Sequence, residues 1–321
     1  NRHVRYLEAN GIPASLITDE SGKQAGRLRR IFRCVGALWK EKPDVVILPD
    51  PELFVLGSLA ARLRGVRPII DIHENYSKAV ASREWIPGWL KPLGRLLAGT
   101  NTRMARKLAS EVIVAADELS FPGAVVVLNV PDPADFEVVP PDMVHPTAVY
   151  VGDVTEARGA LEIAELASRL PDIEFLVIGR VGPNLAAEMV EIAGQNSSLT
   201  LVGRKSHGEA WEMASGSIAG LSLLRPLPAY LEATATKLWE YSAAGIPPVV
   251  TNLPGQKRFV ASIHPGLAGG TIDDIETILL RLCKDPEFRN GASVAAREAA
   301  VAAWESARPD QALVRVVSPG R

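Results

Sequence analysis

The chain has 321 residues, 47% of them hydrophobic and 22% charged, a composition that suits two globular domains and excludes a disordered chain. Its net charge of -2 creates no overall field for nucleic acid, and two cysteines, Cys34 and Cys283, can build neither a disulfide framework nor a cysteine zinc site. Apolar runs fall far short of the roughly 20 residues of a membrane helix, and no basic segment precedes an apolar one, so a soluble cytoplasmic protein is expected.

The first stretch, NRHVRYLEANGI, reads as a helix with Val4 and Leu7 on one face, stopped by Gly11 and Pro13. ASLIT then reads as a strand, followed by a basic helix from about Lys23 to Lys40. PDVVILPD is a short β-branched strand, and ELFVLGSLAARLRG is a helix closed by Gly65, with Asp50 and Glu52 expected to cap it. RPIIDIHE is the next strand, Trp89 to Leu108 a long basic helix, and EVIVAA and AVVVLNV two further strands. Continuous apolar strands alternating with helices predict a parallel sheet covered on both faces.

PDPADFEVVPPDMVHP, from Pro131 to Pro146, holds five prolines and no regular period, which makes it the expected linker. The alternation then resumes. TAVYVGDV, IEFLVIG, LTLVG, IAGLSLL and PPVVT are predicted strands. Between and after them, helices are predicted at 158–170, NLAAEMVEIAG, EAWEMASG, TKLWEYSAAG, ETILLRLCKD and the ASVAAREAAVAAW region. Two open α/β domains result, and such sheets bind ligands beyond the carboxyl ends of their strands.

Missing motifs narrow the chemistry. No G-x-G-x-x-G follows a strand, and neither G-x-x-x-x-G-K-[ST] nor G-x-S-x-G occurs. His3, His73, His145, His207 and His264 show no short metal-ligand spacing. Dehydrogenases, P-loop enzymes and zinc hydrolases are therefore not expected.

The informative segment runs from Arg225 to Asn252, where a proline-bearing loop meets a helix starting near Thr234 or Thr236. Either threonine can cap that helix, and Gly245 ends it. Ala233 and Ala235 leave the first-turn amides open, and Lys237 adds a cation, which together suit an anion. Glu232 and Glu240 suit hydroxyls of a sugar or ribose. On pattern alone, a capped and solvated helix start is the commoner reading of Thr236, Lys237 and Glu240.

Glu232-x7-Glu240, followed by Ala243-Ala244-Gly245 and a strand, resembles the E-x7-E motif of retaining GT-B glycosyltransferases of family 4. The resemblance implies an α/β GT-B fold, two Rossmann-like domains facing across a cleft. It implies Glu232 for the donor sugar, Glu240 for the ribose, and Ala235, Thr236 and Lys237 for the phosphates; Ala235 stands where glycine is usual. YVGDVTEARGALEIAELA resembles the first strand, loop and helix of the donor domain, which places Gly152 in the donor site and Arg158 against the diphosphate. Asp153 replaces an arginine often found there. LVIGRVGP and LTLVGRKSHGE resemble the strands around the nucleotide base, suggesting Gly179, Gly203 and Arg204. IIDIHENY resembles the D-x-H-E segment of the acceptor domain, making His73 a candidate for the donor sugar or phosphate; LPDPELF resembles H-D-P-E-L with Pro49 for histidine. On pattern alone, Arg158 is equally an ordinary helix arginine, and His73 reads first as a satisfied strand-end histidine.

The resemblance divides the chain into an acceptor-side domain at 1–142, a donor-binding domain at 143–300 and a C-terminal helix at 301–321 that packs back on the first domain. It also sets a central strand and a glycine-rich loop ahead of Asn1, so the chain is expected to lack its first strand. The implied reaction is metal-independent, retaining sugar transfer from a UDP- or GDP-sugar to an unidentified hydroxyl acceptor, with Glu232, His73, Arg158 and Lys237 as the catalytic group. The nucleotide sugar is a substrate, and no cofactor is expected. A GT-B epimerase or phosphorylase, or a non-catalytic sugar-nucleotide binder, are the alternatives. From Lys23 to Lys107 there are 17 Lys/Arg against 7 Asp/Glu, and Trp85, Ile86, Trp89 and Leu90 sit beside Arg83, Lys91 and Arg95. This region reads either as a solvated helix face or as a peripheral contact with an anionic membrane.

Overall fold

A computed structural model describes residues 2–17, 27–80, 86–194 and 198–318. It divides into two compact units, Asn1–Asn129 with Ala307–Arg321, and Val130–Ser306.

In the first unit α1 (Arg2–Ala9) and α2 (Arg27–Glu41) precede β1 (Val45–Leu48), α3 (Phe54–Leu63) and β2 (Arg67–Ile72). A single turn, α4 (Tyr76–Ala79), and the long α5 (Lys91–Leu108) lead to β3 (Glu111–Val114) and β4 (Ala124–Val126). The strands form one parallel sheet in the order β1-β2-β3-β4. Ile69, Ile70, Ile113 and Val114 are fully buried at its centre, as expected of continuous apolar strands with helical cover. Gly65 ends the turn after α3 with φ +71°, a conformation only glycine takes without strain.

Two expectations fail in this unit. ASLIT forms no strand over its described residues 14–17; Leu16 and Ile17 are exposed, and no strand of the described sheet pairs with them. A short apolar run becomes a strand only where a neighbour supplies the hydrogen-bond ladder. Asp50 and Glu52 do not cap α3 by side chain: the cap position is Leu53, and the entry is a backbone turn from Leu53 N–H to the Asp50 carbonyl. The predicted start of the basic helix at Lys23, together with Arg83 and Trp85, lies outside the described residues.

The second unit carries β5 (Thr147–Val151), α6 (Ala160–Arg169), β6 (Glu174–Ile178), α7 (Pro183–Ala193) and β7 (Leu199–Gly203). There follow α8 (His207–Ala214), β8 (Ala219–Ser222), α9 (Thr236–Ala243) and β9 (Pro248–Thr251). The series closes with α10 (Pro254–Ala261), β10 (Ala268–Gly269), α11 (Ile272–Lys284) and α12 (Pro286–Ala307). The parallel sheet has the order β10-β9-β8-β5-β6-β7. The chain thus winds outward from β5 in one direction, then restarts at β8 and winds in the other, leaving a topological switch between β5 and β8.

Arg308 turns the chain with φ +38°, and α13 (Pro309–Val317) returns to the first unit. There it packs on α1 and β4, and the Arg67 guanidinium donates to the carbonyls of Val317 at 3.1 Å and Val316 at 3.2 Å. Two expected helices are longer or more divided than the sequence suggested, because Pro309 cannot continue α12.

Candidate functional site

The site in the second unit is built on one helix over the switch. Gly245 ends α9 in the left-handed conformation, φ +70°, and the amides of Gly245 and Ile246 donate to Ser242 and Tyr241 carbonyls, the double bond of a Schellman cap. At its other end the expected threonine cap is absent. Ala235 occupies the cap position, so the cap residue offers no side-chain oxygen; Thr236 is the first helical residue, and the Leu238 amide donates to the Ala235 carbonyl at 2.9 Å. The chain bends into the helix one residue later than a Thr234 cap requires and one earlier than a Thr236 cap requires.

Tyr241 fixes the height and direction of α9. Its ring lies flat on the backbone at Gly220, where a Cβ would fall 2.4 Å from the ring. Its hydroxyl accepts the Val151 amide at 2.9 Å and stands 3.3 Å from both the Val149 and Leu221 carbonyls. One side chain therefore ties the helix to β5 and β8 together. Burial raises its pKa well above the ordinary value, so it stays a donor.

Lys237 lies one turn before Tyr241 and is buried, yet its ammonium makes no hydrogen bond within the protein. Nζ sits 3.5 Å from the Tyr150 ring centroid and 3.8 Å from where a Cβ on Gly152 would be. Burial pulls its pKa well down, the Arg158 charge pushes the same way, and Glu240 opposes them. Arg158 is half-buried and donates to the Asp153 carbonyl at 3.4 Å. Burial works against its charge, but Tyr150 and a hydrogen bond with Tyr230 outweigh that and raise its pKa. Tyr150 donates to the same Asp153 carbonyl at 2.8 Å, and burial pushes its pKa up to about 12.

Four glycines bring the strand ends and the loops after them together. A Cβ on Gly179 would fall 1.7 Å from the Gly152 carbonyl oxygen, so the loops after β5 and β6 touch through bare backbone. Gly179 in turn donates to the Gly203 carbonyl at 2.9 Å. Gly159, in the left-handed region at φ +86°, lets the loop carrying Arg158 lie against Leu223 beyond β8, where a Cβ would meet the carbonyl oxygen at 2.3 Å. Arg204 is exposed just past Gly203.

The two glutamates hold different partners. Glu240 is half-buried, with Oε1 3.1 Å from His207 Nε2. Glu232 is exposed and pairs with Arg258 at 2.6 Å. Its loop is pinned where the Gly255 amide donates to the Leu231 carbonyl, and a Cβ on Gly255 would strike the Glu232 backbone at 2.4 Å.

The structure thus gathers Gly152, Arg158, Gly179, Gly203, Ala235, Thr236, Lys237 and Glu240 around the carboxyl ends of β5 to β8, with Glu232 on the loop before α9. His73 belongs to the first unit. There its Nε2 lies 2.8 Å from Oδ2 of the buried Asp71, whose bond raises the His73 pKa despite burial. His3 approaches the same oxygen at 3.6 Å, and burial lowers its pKa.

Sequence reasoning missed His207, Arg180 and Arg258. His207 follows the N-cap of α8, where Ser206 and Glu209 form a reciprocal capping box, a pattern legible as S-H-G-E. Arg180 follows Gly179 directly and lies 3.8 Å from Asp153, the residue standing where an arginine is common. Arg258 sits on α10, whose sequence PGQKRFVA has too few apolar positions to announce a helix. Among the described residues, no cluster of three or more His, Cys, Asp or Glu could hold a metal ion.

The sequence profile of glycosyl transferases group 1 matches residues 132–299, more than half of the chain. The chain belongs to that family. A glycosyl transferase 4-like domain profile matches residues 2–150 of this glycosyltransferase as well. Among curated proteins, none matches its sequence. Its fold is similar to sucrose-phosphate synthase from Thermosynechococcus elongatus, at 16% identity and a TM-score of 0.71 over 98% of this chain and 92% of that one. It is also similar to Anabaena HepE in complex with UDP-glucose, at 15% identity and 0.68 over 98% and 88%. A proposed UDP-N-acetylglucosamine 2-epimerase from Listeria monocytogenes is similar at 14% identity and 0.54 over 97% and 83%. The glycosyltransferase therefore has the GT-B fold, with two parallel sheets.

Proposed function

We propose that the second unit binds the diphosphate of a nucleotide sugar and that the enzyme transfers that sugar to a hydroxyl acceptor. The observation that carries this reading is Lys237, a buried ammonium without a hydrogen-bond partner beside the bare backbone of Gly152. A buried cation left unpaired is costly unless a ligand completes it. The start of α9, whose cap residue is an alanine, and the neighbouring Arg158 suit the same ligand, a polyanion. Glu240, half-buried three residues beyond Lys237, suits the ribose hydroxyls. Glu232, exposed on the loop before the helix, suits hydroxyls of the sugar.

In this reading the chemistry is leaving-group stabilisation. As the glycosidic oxygen departs, charge develops on the diphosphate, and Lys237 and Arg158 stabilise it. Retention of configuration and independence from added metal are part of the proposal. UDP is the nucleotide to test first, because HepE, of similar fold, was determined with UDP-glucose.

Thermal unfolding with UDP, GDP and ADP tests the site. UDP at about 100 times its dissociation constant is expected to stabilise the unit by about 2.7 kcal/mol, and Lys237→Met should cut that shift to about half or less. An undiminished shift in Lys237→Met would remove the diphosphate reading. Transfer from UDP-glucose that persists in EDTA would support the metal-independent mechanism, and loss in EDTA would refute it.

A further inference from the structure

In a helix packed on a sheet, the apolar stripe faces the sheet and the outward face is polar. α11 follows this rule: Ile275, Ile278, Leu279 and Leu282 are buried, while Asp273, Thr277 and Arg281 face out. Two neighbouring helices of the first unit break it. α3 buries Phe54, Gly57, Ser58 and Ala61, yet Leu56, Leu59 and Leu63, spaced for one face, are exposed on the opposite side. Leu63 is 74% exposed. On α5, Ala105 is buried with Gly94, Ala98 and Asn101 along its line. Leu93, Leu96, Leu97 and Met104 lie on the far side, with Leu96 and Leu97 more than 60% exposed.

The two stripes belong to one surface. α3 and α5 pack side by side, and Arg62 of α3 donates to the Leu108 and Ala109 carbonyls at the end of α5. Trp89, in the short turn that enters α5, is 79% exposed. Single exposed leucines are ordinary; two adjacent helices with doubled apolar faces are the kind of patch that marks an interaction site.

The charges select the partner. Residues 54–66 and 86–110 contain seven Lys or Arg and no Asp or Glu. Arg95, Arg103 and Lys107 are exposed beside the leucines of α5. An apolar face with seven cations in its two segments, and one exposed acid, Glu52, a turn before Leu56, is complementary to a bilayer that carries anionic headgroups over an acyl interior. Among the described residues no helix is long and apolar enough to cross a membrane, so the contact is one of lying on the surface. We propose that the α3–α5 face, with Trp89, docks this glycosyltransferase on an anionic lipid bilayer.

Vesicle flotation at low ionic strength tests it. The chain should float with phosphatidylcholine vesicles containing phosphatidylglycerol and not with phosphatidylcholine alone. Leu96→Glu with Leu97→Glu should weaken binding at least tenfold. Arg103→Gln with Lys107→Gln should weaken it about 25-fold, roughly fivefold for each cation. Melting temperature and the UDP shift serve as fold controls; should the leucine pair cost the fold, Leu63→Glu on α3 probes the same surface. Failure of the wild type to float with the anionic vesicles would overturn the proposal. So would undiminished binding by the variants, or a solution dimer that Leu63→Glu splits in a chain that binds no vesicles, which would make a second copy the occupant.

Discussion

Lys237, under the proposed diphosphate site, is a side chain that costs stability in the unliganded protein. In the unliganded protein its charge lies under the protein surface with an aromatic face and no hydrogen bond. Replacing it with the apolar Met, of similar length, should therefore raise the stability of the unliganded protein by about 1–3 kcal/mol, while lowering diphosphate affinity at least tenfold. Chemical denaturation and calorimetric titration of the same sample check both. The sign of the pH effect follows from burial, which lowers the folded-state pKa below the unfolded 10.5. The destabilisation is full below the folded value, and stability recovers as pH rises from there through the unfolded value. An arriving diphosphate restores the favour for the charged form. UDP binding is thus expected to take up a proton above the lowered pKa, and affinity should fall as pH rises. Titrations in buffers of different ionisation heat measure that uptake; none at alkaline pH would mean that Lys237 stays charged without ligand.

At the scale of elements, α9 is positioned by Tyr241 more than by its own cap. Tyr241→Phe keeps the ring on Gly220 but leaves the Val151 amide without its acceptor, at a cost of about 1–3 kcal/mol. Because the same hydroxyl holds α9 over β5, UDP affinity should drop along with stability, although Tyr241 touches no proposed ligand atom. A melting curve and a UDP titration of the variant test this coupling. The contrast also explains what the sequence could disclose. The E-x7-E spacing, Lys237 and the glycine after the helix are local signals, and the structure sets them around the predicted helix. The threonine cap was misplaced because capping depends on backbone angles at Ala235 that no composition rule fixes. His207 and Glu240 are 33 residues apart, and only the sheet order brings them together. ASLIT has the residues of a strand and lacks a partner in the described sheet, which is tertiary information.

On the scale of the whole molecule, the α/β alternation and parallel strands were legible from apolar runs, since buried strands need them on both faces. The discontinuity of the first unit follows from no apolar pattern: only the resemblance implied a C-terminal helix, at 301–321, packed back on the first domain. Arg67 holds the last two residues of α13 by their carbonyls, across about 250 positions of sequence. Arg67→Ala should lower the melting of the first unit and leave the second unchanged, while UDP should raise only the second. Calorimetry with and without UDP resolves this as two transitions moved independently; a single transition shifted by both would show that the units unfold as one.

The return of α13 bears on how the chain is made. Val130–Ser306 is complete once its own residues have left the ribosome, but the first unit must wait for Pro309–Val317. Domains generally fold as units as they emerge. Here the earlier of the two units finishes last, and its helices stay without their closing partner while the second unit is already folding. The exposed leucines of α3 and α5 are in solvent throughout that interval, so translation beside an anionic bilayer would cover them before the first unit is closed.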